Sequence, residues 1–171
     1  MRLCRWLLVG LVVALGGSGC AGYKLGPVNS LAPGAKSVQV NPFTNRTIEA
    51  RLGDAVTTQL RQTLQQDGTY QLATHNDGDI VVGGSVITYQ RQAVSYSSSD
   101  ILTVEDYRLH ITVQVTARER STGKVLLDKA VTGSTLIRVT TDLTSSERQA
   151  LPLLAADLAK NVTALLTEGS W

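Results

Sequence analysis

Residues 107–118 carry the most regular pattern in the chain. Tyr107, Leu109, Ile111, Val113, Val115 and Ala117 alternate with Arg108, His110, Thr112, Gln114, Thr116 and Arg118. Successive side chains on a strand point to opposite faces, so this pattern predicts a strand with one dry and one wet face. Ser121-Thr122-Gly123-Lys124 follows as a hairpin turn, with Gly123 free to take a positive φ. Residues 124–139 read as the next long strand. An earlier strand at 79–90 contains Ile80, Val81, Val82, Val86, Ile87 and Tyr89; its Gly83-Gly84 pair predicts a bulge or a close backbone approach. Residues 91–106 read as a long connection with a Ser-rich tip at 95–99. A short first strand at 37–41 has Val38 and Val40 on one face and is stopped by Pro42.

Two segments change period. Between Thr47 and Gln66, the residues Ile48, Leu52, Ala55, Val56, Leu60 and Leu64 step by three or four and share one helical face. Asp67-Gly68 ends this helix, with Gly68 suited to a left-handed position just past the end. Thr144 and Glu147 have capping-box spacing ahead of Leu151, Leu154, Ala155, Leu158, Val162 and Leu165, a second amphipathic helix. Pro152 falls about two turns in and predicts a kink or a separate first turn.

The order is therefore β-α-β-β-β-α. Two amphipathic helices and a sheet with a single dry face predict an α+β, two-layer α/β sandwich, with both helices on one face of a mixed sheet. The other face stays polar unless a partner covers it. The 171 residues suit one domain; 43% hydrophobic residues and 4 Pro exclude a disordered chain.

The amino terminus stands apart. Arg2 and Arg5 precede a ten-residue apolar run, Trp6 to Leu15. A membrane-spanning helix needs about 20 residues, so this run reads as the core of an export signal. Gly17, Ser18 and Gly19 lead to Cys20, resembling a bacterial lipobox in a relaxed form. The predicted organisation is a removed signal at 1–19, a lipidated tether rich in Gly and Pro at 20–35, and the sandwich at 36–171. Cys20 is the predicted lipidation site; ordinary signal cleavage with an incidental cysteine is the other reading. Ala21 replaces the Asp that a lipoprotein sorting rule associates with inner-membrane retention, which points to the periplasmic side of the outer membrane. Of the 16 Lys and Arg, two precede Cys20, leaving 14 against 14 Asp and Glu. The slight basicity thus belongs to the signal, and nothing in the charge argues for nucleic acid. With Cys4 removed, Cys20 is the single cysteine of the mature chain.

No catalytic constellation emerges. The spacing G-x-G-x-x-G at Gly17, Gly19 and Gly22 straddles the cleavage site and precedes no helix. His75 lies in a loop and His110 on the wet strand face. Glu105 and Asp106 are adjacent and point to opposite faces of a strand. No metal, cofactor or enzymatic activity is expected.

The element order, the opening Cys20-Ala21-Gly22-Tyr23-Lys24-Leu25, the passage Val38-Gln39-Val40-Asn41-Pro42-Phe43-Thr44-Asn45, the run Glu147-Arg148-Gln149-Ala150-Leu151 and the closing Glu168-Gly169-Ser170-Trp171 together resemble the lipopolysaccharide-assembly lipoprotein family, LptE. The resemblance implies the same two-layer sandwich. It also implies a plug inside the outer-membrane barrel LptD, helping to deliver lipopolysaccharide to the outer leaflet. The alternative class is a small outer-membrane lipoprotein that serves a cell-wall synthase or a secretion channel. For lipopolysaccharide, strand order predicts that Arg91, Arg108 and Arg138 meet at one end of the sheet, where guanidinium forks match phosphate oxygens. Solvated strand-end charge is the competing reading of the same residues. Arg118, Arg120 and Lys124 gather at the other end, around the tight turn.

Overall fold

Six strands and two helices form in the computed structural model, which describes residues 36–100, 102–139 and 142–168. All of them fall in one unit, Leu31–Trp171. Cys20 and the predicted signal and tether lie outside the described residues, as does the closing Gly169-Ser170-Trp171.

The strands are β1 (Ser37–Val40), β2 (Thr44–Asn45), β3 (Gln71–Leu72), β4 (Ile80–Tyr96), β5 (Val104–Glu119) and β6 (Val125–Arg138). Helix α1 spans Leu52–Asp67 and α2 spans Leu143–Thr167. The sheet runs β3-β1-β4-β5-β6, with β2 also beside β4. β4, β5 and β6 are an antiparallel meander, whereas β1 and β2 run parallel to β4 and β3 runs parallel to β1. The mixed two-layer sandwich in the order β-α-β-β-β-α is thus the observed fold. Sequence periodicity does not reveal β2 and β3, because two residues cannot display an alternation.

The alternation of β5 becomes burial. Leu109, Ile111, Val113, Val115 and Ala117 are each 0% exposed. They meet Val38, Val82 and Val86 from neighbouring strands, Leu52, Val56, Leu60 and Leu64 from α1, and Leu154, Leu158, Val162 and Leu166 from α2. Each such aliphatic side chain contributes about 1.5–3 kcal/mol by leaving water, so this layer dominates the stability. Gly133 of β6 lies directly under α2. A Cβ there would stand 2.8 Å from Leu158 Cβ, so only glycine lets the helix come this close.

Three local expectations are corrected. The first helix begins at Leu52 rather than Thr47, and Ile48 is 91% exposed instead of sharing the buried face. Asn45 explains this: its Oδ1 accepts from Thr47 N at 3.0 Å and from Thr47 Oγ1 at 2.8 Å, and its Nδ2 donates to Glu49 O. These bonds hold residues 45–49 in a turn that competes with helix. The second helix is capped by Asp142, whose Oδ1 accepts from Ser145 N at 2.7 Å, and not by Thr144 with Glu147. Of the two outcomes expected at Pro152, the separate first turn does not occur, since Pro152 lies inside the single helix Leu143–Thr167.

The third correction bears on function. The 91–106 connection is mostly strand: β4 runs to Tyr96 and β5 starts at Val104. A bulge inserts Ile87 between Val86, paired with Val113, and Thr88, paired with Thr112. Inserting one residue reverses which face each later side chain takes. Gly84, by contrast, is the close approach foreseen for the glycine pair, since its Cβ would meet the Gln114 carbonyl oxygen.

Candidate functional site

The sheet face away from the helices is open. Gln90 and Gln92 of β4, His110, Thr112, Gln114 and Thr116 of β5, and Asp128, Thr132 and Ser134 of β6 lie on it at alternate register positions. Hydroxyls and amides dominate, and local bonds pin some of them: Gln114 Nε2 donates to Asp128 Oδ1 at 2.6 Å. At one end, Gln39 accepts from the Arg120 guanidinium and donates to Asn76 Oδ1 at 3.0 Å, while Arg120 Nε donates to Gly78 O at 2.7 Å. Arg120 therefore ties the 76–78 loop to β1 and is consumed by that task.

The other end carries the three candidate arginines, on two faces. Arg108 and Arg138 lie on the open face: Arg108 pairs in register with Gln92 and Leu136, and Arg138 with Asp106 one step further out. Arg138 Nε donates to Asp106 Oδ1 at 2.9 Å and Nη2 to Oδ2 at 3.3 Å. Ser95 Oγ adds a bond to Asp106 Oδ2 at 2.6 Å. The Arg138 guanidinium, followed by the Ser95 hydroxyl, holds the Asp106 carboxyl below the ordinary carboxylate range. Arg108 has no acidic partner within ion-pair distance among the described residues.

Arg91 does not join them. The bulge at Ile87 turns it to the helix side, where Nη1 lies 3.3 Å from Glu147 Oε1 of α2. Tyr89, two residues before it, sits on the same side. Its buried hydroxyl has no aligned hydrogen-bond partner, and burial, then the nearby Glu147 carboxylate, pushes its phenol well above the usual value. Sequence pattern alone hides this group, because the alternation that would place Arg91 changes phase at an unmarked residue. Glu147, expected in a cap, instead faces Arg91.

Beyond the arginines, the tip is closed by its own bonds. Ser97 N donates to Thr103 O at 2.8 Å, and Asp100 accepts from Leu102 N at 2.9 Å and Thr103 Oγ1 at 2.7 Å. Leu102 in the tip is 86% exposed, and Tyr96 is exposed at the end of β4. His75 is exposed and contacts Thr74 Oγ1, and His110 is half-buried on the open face. Among the described residues, no group of three or more His, Cys, Asp or Glu is arranged to hold a metal ion.

Three solved structures share the fold. The protein CT253 from Chlamydia trachomatis is 12% identical, with a TM-score of 0.56 over 78% of this chain and 96% of that one. XCC0632 from Xanthomonas campestris is 12% identical, with a TM-score of 0.53 over 78% and 85%. A minor lipoprotein from Acinetobacter baumannii is 21% identical, with a TM-score of 0.50 over 78% and 94%. No curated protein matches the sequence. A family model described as "LptE: Lipopolysaccharide-assembly" matches residues 35–166, from the start of β1 through all but the end of α2. With most of its length inside that match, the chain belongs to the LptE lipopolysaccharide-assembly family.

Proposed function

We propose that this protein is an outer-membrane lipoprotein, anchored through Cys20 on the periplasmic side. In this reading it plugs an LptD-like β-barrel and helps deliver lipopolysaccharide to the outer leaflet. The role is structural and involves no catalysis. The observation that carries it is the family match over residues 35–166. The open sheet face supports it: a surface of Thr, Gln, Ser and His suits a polar, water-filled lumen and not a lipid-facing position. A diacyl or triacyl group on Cys20 would supply more than the one chain that gives only marginal membrane attachment.

Lipopolysaccharide phosphates are assigned to the Arg108 end of the sheet. Arg108 is the cation there with no acid within ion-pair distance among the described residues, and Arg138 can exchange its fork from Asp106 to a phosphate; Arg91, held by Glu147 on the helix side, stands apart from them. Pull-down from detergent-solubilised outer membranes tests the partner: a large heat-modifiable barrel is expected. A cell-wall synthase or a secretion channel in its place would overturn the reading. For the lipid, replacing Arg108 and Arg138 together with Ala is expected to weaken lipopolysaccharide binding and its salt dependence while the helical circular-dichroism signal persists. Unchanged binding in that variant would remove the arginines from the site.

A further inference from the structure

The two edges of the β4-β5-β6 meander are treated differently. Along β6, α2 supplies side chains to the outward backbone groups: Ser134 N donates to Asp157 Oδ2 at 2.8 Å, and Asn161 Nδ2 donates to Thr132 O at 2.9 Å. Asp157 and Asn161 are one helical turn apart, so they occupy the donors and acceptors that another strand would need. Along β4 the covering strands stop early. Arg46 N donates to Val86 O at 3.0 Å, and the chain then leaves through the turn held by Asn45. β4 continues ten residues further, to Tyr96.

After the Ile87 bulge, Thr88, Gln90 and Gln92 pair with Thr112, His110 and Arg108 of β5. The alternating backbone then turns the N–H and C=O groups of Tyr89, Arg91 and Ala93 away from β5. Among the described residues no strand lies on that side. Residues 88–96 read Thr-Tyr-Gln-Arg-Gln-Ala-Val-Ser-Tyr, with no Pro, Gly or Lys and a single charge. Exposed edges are ordinarily blunted by such residues or covered. Here the sequence favours strand, and from Thr88 to Ala93, ahead of the register shifts at Ala93/Ser95 and Ser95/Tyr96, the edge is left ready to pair.

We propose that the β4 edge at residues 88–93 accepts an extended segment of the barrel partner as an added strand, with an acidic residue opposite Arg91. Only an extended backbone satisfies a row of alternating donors and acceptors, which fixes the chemical class of the occupant. A second copy of this chain fits poorly. The two-fold antiparallel register that uses all three outward residues pairs Tyr89 with Ala93 and sets Arg91 against itself, and like charges directly opposite destabilise a pair. The Arg91 side chain is 43% exposed, so an incoming carboxylate can reach it. The barrel as donor rests on the plug reading; the receptive edge does not.

Residue-resolved amide hydrogen exchange tests this, on the full chain purified alone and in the complex isolated from solubilised membranes. Exchange at Tyr89, Arg91 and Ala93 is expected to be fast in the free chain and slower by about tenfold or more in a complex that contains a barrel. Unchanged exchange with the barrel present would overturn the added strand and leave the plug reading standing. Slowed exchange in a complex without a barrel would overturn the plug reading and keep the paired edge. Slowing that grows with concentration in the chain alone would assign the edge to self-association and overturn the proposal. Ala93→Pro removes one outward N–H and spares the ladder with β5. It is expected to lose the slowed exchange at Tyr89 and Arg91 with its helical signal intact. Retention of that slowing in a folded Ala93→Pro complex would also overturn the proposal; should that variant not fold, the native chain's exchange decides.

Discussion

Arg138 on β6 reaches across to Asp106 on β5 with two of its guanidinium nitrogens, at 2.9 and 3.3 Å from the two carboxylate oxygens. The pair is exposed, yet it fixes where a cation sits on the open face. Arg138→Ala is expected to move the Asp106 carboxyl up toward the ordinary value of about 3.9, as read by NMR titration of the side chain. An unmoved carboxyl would mean that the Ser95 hydroxyl alone holds it down.

Asp106 is one of several carboxylates held below their ordinary range. Asp79 is held mainly by Ser37 N, Glu119 by Lys36 and then Thr122, and Asp142 by Ser145 N. A depressed folded-state value means stability that is complete above the unfolded-state value and lost as pH falls through the folded one. These groups therefore add a stability loss that sets in below about pH 5 and deepens under about pH 4. Urea midpoints measured across that range check it. A midpoint that stays constant down to full protonation would contradict the assigned bonds.

Gly133 under Leu158 predicts sensitivity to volume. Gly133→Val is expected to destabilise the fold by about 1–3 kcal/mol, because the added atoms must push α2 off the sheet. The urea midpoint of the purified domain reads this directly. A midpoint equal to that of the parent would show that α2 shifts freely.

Tyr89 makes a contrasting case. Its buried hydroxyl has no aligned partner among the described residues and lies near the Glu147 carboxylate, so Tyr89→Phe removes a desolvated polar group and at most a poorly aligned bond. The expected change in stability runs from zero to a gain of about 1 kcal/mol. A loss of more than that would place a bonded partner on the hydroxyl.

Cys20→Ala is expected to leave an uncleaved or misplaced precursor, seen as a slower-migrating band and a changed membrane fraction. Normal processing and fractionation would remove the lipid anchor from the account.

Where burial is one-sided, the fold is legible from pattern. β5 shows its alternation because one face is covered by α1 and α2 along Leu109 to Ala117, and Gly68 and Gly123 take the positive φ values that their turn positions suggest. Beyond that cover the signal fades. Residues 91–96 form strand with little apolar alternation to display, and the bulge at Ile87 changes phase without a marker residue. Pattern alone therefore groups the three arginines, whereas Arg91 lies on the side of α2. Pattern does not single out the Asp142 cap, because Thr144 and Glu147 match the capping spacing equally well, and only packing reveals that Glu147 faces Arg91. Arg108 could be singled out in advance as wet-face charge, but its lack of an acidic partner requires the register of three strands.

The barrel-plug account is tested most directly by a photo-crosslinking residue at Ser97, in the tip beyond Arg108, in cells carrying the full chain. An adduct with an outer-membrane β-barrel is expected. Adducts with periplasmic proteins alone, and none with a barrel, would contradict it.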